Sequence, residues 1–307
     1  MSMRLIFLGT AGSVPTPDRS LPAVLVKSGN EQFMFDCGEG VQRQMIRAKV
    51  GFHRKMKIFV SHMHGDHVLG LPGLLQTMAL MDRQKKLEIY GPEGIKQFLE
   101  CLRASLHFGL TFPVEIHEIY DNGVICEEKG YTVEAAKSNH VVLGLAYAFV
   151  EKNRPGKFYP EKARILGIPE GELWSKLQHG DEIKLTNGRV IRPDEVLGSP
   201  RRGRKIVYTG DTRPFVGFAS FAAGADLVIH DCTFDDELSE KAGVDGHSTP
   251  SQAGLQAKKA KAKKLVLTHI SARYSAGQLL LEQARRVFEN VLLAEDFMEL
   301  ELPLRDS

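Results

Sequence analysis

The stretch "VSHMHGDHVLG", residues 60–70, sets three imidazoles and a carboxylate within six positions: His62, His64, Asp66 and His67. Imidazoles this close repel one another when protonated, and waste hydrogen bonds when buried neutral without partners. A shared bound ion resolves both problems. Residues 57–60 read as a strand, and residues 68–80 read as a helix after a turn at Gly65. Residues two apart in extended chain share a side, so His62 and His64 face one point. Asp66 and His67, beyond the turn, aim at a second. Imidazole nitrogen and carboxylate oxygen are ligands that Zn²⁺ accepts at about 2.0–2.2 Å. One segment cannot complete two coordination shells, so further ligands must come from elsewhere.

Working outward, short β-rich runs alternate with helical patterns. Strands are predicted at 4–8, 23–27, 32–36, 58–60, 87–90, 114–119, 131–135, 145–150, 205–209, 227–230, 265–268 and 291–293. Helices are predicted at 38–49, 66–80, 93–101, 249–262 and 277–288. This pattern argues α/β or a layered α+β sandwich. His140 ("SNHVV"), Asp211 ("TGDTRP"), His247 ("DGHSTP") and His269 ("LTHIS") all sit beside strand or helix ends, where functional groups commonly lie. The isolated His53, His107, His117 and His179 read as surface or core filler, and His230 as structural.

Residues 152–204 break the rhythm with twelve Pro and Gly, and read as a structured insertion projecting from the core. Leu166, Ile168, Leu173, Trp174 and Leu177 can pack a small helical knob there. The whole chain, 307 residues with net charge +2, gives no strong nucleic-acid signal. From Glu151 to Lys205, however, thirteen Lys/Arg face eight Asp/Glu, a local +5 that leaves about −3 for the rest. A basic segment on a slightly acidic body suits a polyanion partner. Five lysines in residues 258–264 form either a solvated helix face or an added contact of the same kind. The four cysteines show no CxxC spacing and read as reduced, mostly buried thiols. No apolar run is long enough to span a bilayer, and the first residues read as a strand rather than a signal peptide. A cytoplasmic location is the expectation.

HxHxDH at residues 62–67 resembles the signature of the metallo-β-lactamase superfamily. Together with "FLGTAGSVPTPDRS" (7–20), "FDCGEGVQRQM" (35–45), "YTGDTRP", "HDCTF" (230–234), "GHSTPSQAG" (246–254) and "LTHISARY" (267–274), in this order, nearly the whole chain looks like ribonuclease Z. These are the short-form tRNA 3′-processing endonucleases. The resemblance implies a four-layer αββα sandwich over residues 1–307, two Zn²⁺ per chain (or Mn²⁺ or another divalent ion), a homodimer, and precursor tRNA as substrate. It implies that His62, His64 and His140 hold one ion, that Asp66, His67 and His269 hold the other, and that Asp211 bridges them. Residues 152–204 match the position of the family's flexible tRNA-gripping arm. Two motifs depart from the family pattern. The early loop reads Pro15-Thr16-Pro17-Asp18-Arg19, without the family's lysine, and the family's His-Glu-Ala-Thr reads His230-Asp231-Cys232-Thr233, a carboxylate one methylene shorter.

The chemistry implied is hydrolysis at phosphorus. Two metals about 3.5–4 Å apart activate one water and clamp a phosphate, with Asp66 orienting or deprotonating that water. The products are a 3′-OH on tRNA and a 5′-phosphate on the trailer. His247, oriented by Asp231, is the general-acid candidate, against an alternative in which it only caps the following helix. Arg19 and Arg273 are candidates for holding substrate phosphates. Two other readings compete: a small-molecule phosphodiesterase or arylsulfatase of the same fold, and a catalytically silent RNA-binding protein. A compact chain without the insertion would favour the first, and an incomplete ligand set the second.

Overall fold

The computed structural model describes residues 3–274 and 276–304. Two seven-stranded sheets face each other. The first runs Glu299–Leu302, Met3–Gly9, Ala23–Ser28, Glu31–Phe35, Lys55–Phe59, Leu87–Pro92, Val114–Ile119 in spatial order. The second runs Val291–Leu293, Leu265–Thr268, Leu227–Asp231, Lys205–Tyr208, Gly144–Glu151, Tyr131–Ser138, Gly123–Glu127. Their inner faces meet through Phe33, Phe35, Phe59, Tyr147, Phe149 and Tyr208, an aromatic layer with centroids 4.8–6.2 Å apart. Outside the first sheet pack helices Val41–Arg47, Gly70–Leu80 and Ile95–Leu106. Outside the second pack Phe218–Phe221, Pro250–Lys259 and Gln278–Arg285. Helix, sheet, sheet, helix is the αββα arrangement that the family resemblance implied, and one form of the layered α+β sandwich read from the element pattern.

The parallel strands Lys205–Tyr208, Leu227–Asp231 and Leu265–Thr268 are buried on both faces apart from Lys205 and are apolar through their middles, with His230, Asp231 and Thr268 at the C-terminal ends. Their C-terminal ends, with that of Lys55–Phe59, open on one edge of the sandwich, and the motif residues follow these ends. The structure divides the helix expected at 66–80 into Gly65–Val68 and Gly70–Leu80. At that joint Gly70 lies so close to the Gly38 carbonyl that a Cβ would stand 2.0 Å from its oxygen. Strands Gly123–Glu127 and Glu299–Leu302 were not legible in the sequence; the first is a mostly exposed edge, and the second is four residues with only Leu302 fully buried.

Residues 152–204 leave the second sheet between the paired strands Gly144–Glu151 and Lys205–Tyr208. They build helices Pro160–Ile165 and Glu172–His179 and the ribbon Ile183–Lys184 with Val190–Ile191. Ala163, Ile168, Leu177, Ile183, Ile191 and Val196 form a core of their own, flanked by Leu166, Leu173 and Trp174. The base is tied by Arg204, whose guanidinium donates to Glu151 and, at 2.7 Å, to the Leu302 carbonyl. Arg154 and Arg201 exchange backbone hydrogen bonds of 2.9 Å both ways, closing the ladder at the root. Beyond that pair, residues 155–200 carry seven Lys/Arg and seven Asp/Glu, so the +5 charge belongs to the root and not to the knob.

Candidate active site

Each motif delivers its side chain from a strand end. His62 and His64 lie in the extended run after Lys55–Phe59, and Asp66 and His67 in the helical turn Gly65–Val68. His140 sits in the loop between Tyr131–Ser138 and Gly144–Glu151. Asp211 follows Lys205–Tyr208, Asp231 ends Leu227–Asp231, and His269 follows Leu265–Thr268. Glycines let these loops converge. At Gly210 (φ 57°) a Cβ would stand 2.5 Å from the Ser61 Cβ, and at Gly246 (φ 90°) 2.5 Å from His140 Nδ1. Asp36, Ser13 and His269 hold positive φ without being glycine, strain of the kind that clusters at functional sites.

Two separate ligand-type groups result, with a third, Asp211, His247 and His269, overlapping both sides. His62, His64, His140 and Asp211 bring their donor atoms within 4.8 Å of one another, and so do Asp66, His67 and His269. His62 Nε2 lies 3.0 Å from His64 Nδ1, and His140 Nε2 lies 3.3 Å from His64 Nδ1. In the second group His67 Nε2 and His269 Nε2 each stand 3.4 Å from Asp66 Oδ2. A single oxygen joins the groups: Asp211 Oδ2 is 3.6 Å from His62 Nε2, 3.4 Å from His67 Nε2 and 3.3 Å from His269 Nε2. A tetrahedron with bonds of 2.0–2.2 Å has edges of about 3.3–3.6 Å, so these separations suit ligand atoms around a shared ion. His67 Nε2 and Asp211 Oδ1 are buried with no hydrogen-bond partner. Buried polar atoms are rarely left so, and divalent cations would satisfy both.

The outward nitrogens of the His62, His67, His140 and His269 rings are anchored, which fixes the orientation of those four rings. His67 Nδ1 donates to Asp36 Oδ2 at 2.7 Å. His140 Nδ1 donates to the Gly246 carbonyl at 2.8 Å. His269 Nδ1 meets Thr233 Oγ1 at 2.7 Å, and His62 Nδ1 meets Ser61 Oγ at 2.9 Å. Asp36 also accepts from Ser61 N–H (2.6 Å), Ser61 Oγ (2.8 Å) and Tyr208 OH (2.6 Å), so it locks the base of the site. Burial and the neighbouring imidazoles hold the His62 pKa well below its ordinary value, and burial depresses His140 likewise. Both rings are thus neutral and have a lone pair to offer. Burial alone would raise the Asp66 and Asp211 carboxyls, but His67 and His269 outweigh it and hold both well below the usual carboxylate range.

His247 lies on the rim, its ring 5.2 Å from those of His140 and His269. Its Nδ1 donates to Asp231 Oδ2 at 2.9 Å. Burial lowers its pKa, and the Asp231 charge and hydrogen bond outweigh that and push it up to about 9. The helix beyond is capped by Thr249 and Gln252, so capping is not the work of His247. Asp231 is fully buried and accepts also from Thr212 N–H (3.0 Å), Ser248 N–H (3.3 Å) and Thr233 Oγ1 (2.7 Å). The shorter Asp side chain therefore reaches His247. Arg19 turns away from the centre: its Nη1 donates to Thr10 Oγ1 at 2.8 Å and to the Ala294 carbonyl at 2.6 Å. Arg273 stays exposed, stacked 5.1 Å over Phe234, which in turn meets the His247 ring at 5.9 Å. Lys258 and Lys259 close the helix that starts beside His247, roughly 12–14 Å along it at 1.5 Å per residue, and Lys261, Lys263 and Lys264 follow in the turn beyond.

Asp36, Ser61, Thr233 and Tyr208 were not singled out from the sequence. Asp36 alone left a signal, as a carboxylate at a strand end in "FDCGEG". His230 is buried and hydrogen-bonded to the Asp231 carbonyl, a structural residue as expected.

Residues 175–270 match the family described as "Beta-lactamase superfamily domain", and residues 3–153 match "Anti-Pycsar protein Apyc1". The chain is 48% identical over 304 residues to the ribonuclease Z of Methanosarcina acetivorans, covering 99% of each. It is 45% identical to that of Archaeoglobus fulgidus, covering all of both. The chain belongs to the ribonuclease Z family. Human tRNase Z, short form, has the same fold, with a TM-score of 0.74, 30% identity, and coverage of 98% of this chain and 100% of that one. As a ribonuclease Z, the chain is a tRNA 3′-processing endoribonuclease, a metal-dependent phosphodiester hydrolase. The small-molecule and catalytically silent readings give way to it.

Proposed function

We propose that the centre holds two divalent ions, zinc first among them, with His62, His64 and His140 on one side, Asp66, His67 and His269 on the other, and Asp211 shared. The observation that carries this is the single Asp211 oxygen within 3.3–3.6 Å of imidazoles from both groups. Such a pair of ions supplies a water of lowered pKa and a clamp on the phosphate. Asp66 orients that water and takes up its proton. Water oxygen attacks phosphorus, the bond to the tRNA 3′ oxygen breaks, and His247 gives that oxygen its proton. The tRNA keeps a 3′-OH and the trailer a 5′-phosphate. Asp231 holds the His247 ring in the donating orientation and stabilises its charged form. Arg273 is the better placed of the two arginine candidates for a substrate phosphate, since Arg19 would have to release its present partners.

In this reading residues 1–307 form one metallo-β-lactamase-fold domain, and residues 152–204 are an inserted flexible arm, an exosite that grips tRNA. Its separate core and its basic root support that division. The active form is a homodimer; Ile46, Leu69, Leu80 and Met81, exposed on the first helix layer, provide apolar surface for it. A cytoplasmic location accords with four free cysteines, and no helix among the described residues is long and apolar enough to cross a membrane. The test is to incubate the purified protein with a trailer-bearing precursor tRNA and map both product ends. Asp66→Ala should abolish cleavage while leaving tRNA affinity nearly intact. Cleavage undiminished in Asp66→Ala, or products with a 3′-phosphate, would refute the mechanism.

A further inference from the structure

Hairpin tips are ordinarily built from Gly, Asn, Asp, Pro and Ser, and three consecutive exposed apolar residues are a liability unless they serve a function. The loop 139–143 breaks both rules. After Asn139 and His140 come Val141, Val142 and Leu143, which are 53%, 41% and 44% exposed. The loop is held in place. Asn139 N–H donates to Thr212 Oγ1 at 3.0 Å, and the Asn139 carbonyl accepts from Arg213 N–H at 2.9 Å. The Arg213 guanidinium donates to Asn139 Oδ1 (3.3 Å), to the Val244 carbonyl (3.0 Å) and to the Gly243 carbonyl. It thus fastens the C-terminal turn of the helix Ser239–Asp245 beside the loop, bringing Val244, 74% exposed, to the same rim. A Cβ at Gly246 would lie 3.1 Å from Val141 Cγ1, so this apolar rim abuts the segment that carries His247.

The next step rests on the reading of His247 as proton donor. That role seats the sugar of the last tRNA nucleotide against His247, and its base then falls within reach of the rim. We propose that Val141, Val142, Leu143 and Val244 form the seat for the nucleobase immediately 5′ of the scissile phosphate. Every base has a π-face, so contact through that face tolerates all four. Aliphatic side chains offer no donors or acceptors, so the seat reads no base edge. A base held in a duplex cannot turn onto it. The seat therefore selects an unpaired nucleotide of any identity at the cut. Arg213 is its positioning residue.

The test uses the full chain and two substrates: a trailer-bearing precursor tRNA and a chromogenic phosphodiester that has no nucleobase. In the V141S/V142S/L143S variant the ratio of their specificity constants should fall about tenfold, the lower end for an apolar contact. The fall should come mainly through KM, as for binding made equally in ground and transition states. Precursor tRNA that is abasic just 5′ of the cut should cost the wild type a similar factor and the variant nothing further. V244S, on the neighbouring helix Ser239–Asp245 rather than on the loop that carries His140, should show the same non-additivity. If both substrates lose equally, the loop acts only by holding His140 and the proposal is wrong. It is also wrong if variant and abasic losses multiply, or if the variants change only the oligomeric state. A wild type that leaves precursor tRNA uncut overturns the functional reading itself, and the seat with it; cleavage at the expected position with multiplying losses overturns the seat alone.

Discussion

Excising the knob from the arm separates its contribution from that of the root. Arg154 and Arg201 form a hydrogen-bonded antiparallel pair, so residues 155–200 can be replaced by Asn-Gly, the two-residue turn suited to such a pair. The knob packs its own core, and all seven ligand candidates lie outside it, so hydrolysis of a small phosphodiester should survive. Seven Lys/Arg are removed. Arg164, Lys176, Arg189 and Arg192 are already paired with Glu170, Glu172, Glu195 and Glu182. Lys157, Lys162 and Lys184 make no ion pair among the described residues, so the knob offers at most three uncommitted cations. At about 0.9 log unit per phosphate contact, using the duplex DNA value, the slope of log affinity against log salt should become shallower by at most about 2.7. Between 50 and 200 mM salt that amounts to roughly 40-fold. The assay is equilibrium binding of precursor tRNA across a salt series, in an Asp66→Ala background that prevents cleavage. An unchanged slope with unchanged affinity would show that the knob does not grip tRNA. A slope change well beyond three contacts would show that the ion pairs open on binding, and the three-cation ceiling would be wrong.

Three further outcomes are expected. His247→Ala should slow precursor cleavage by roughly 10²–10⁴, and the loss should vanish with a leaving group that needs no proton; equal losses on both substrates would remove His247 from the acid role. Metal analysis should approach two ions per chain, and a chelator should abolish cleavage and lower the Tm, because ligands bound only in the native state add to its stability; full activity in chelator would sink the two-ion centre. Glu88 is opposed by burial but held down to about 2 by Lys57, Tyr90 and Lys86, so its ion pair stabilises the fold fully above the unfolded value near 4.3 and loses that contribution as pH falls from there to about 2. The stability gap between wild type and Glu88→Gln in urea unfolding should therefore shrink from pH 6 to pH 3, and a constant gap would contradict it.

The readings that came from sequence alone concern short-range order. Spacing within "HMHGDH" says which side chains share a side, and a strand followed by a turn says where they emerge, because alternation and turn chemistry act over a few residues. Spacing marked His62, His64, Asp66 and His67, and positions at element ends offered His140, Asp211, His247 and His269; the family resemblance chose seven of these eight as ligands, and the structure brings all seven together. What tertiary structure decided depends on contacts between distant residues. Asp36 meets His67 across 31 positions and Tyr208 across 172, and His269 meets Asp66 across 203, separations that no local pattern encodes. The same holds for Asp211, whose one oxygen stands between two groups of imidazoles only after three parallel strands align their ends. Arg19, a candidate phosphate contact in the sequence, is committed to Thr10 and to a carbonyl 275 residues away. The charge of the insertion was a correct sum in one dimension, but only the pairing of Arg154 with Arg201 divides it into a basic root and a neutral knob. Pairing across the chain decides which charges share a surface, and composition averages that information away.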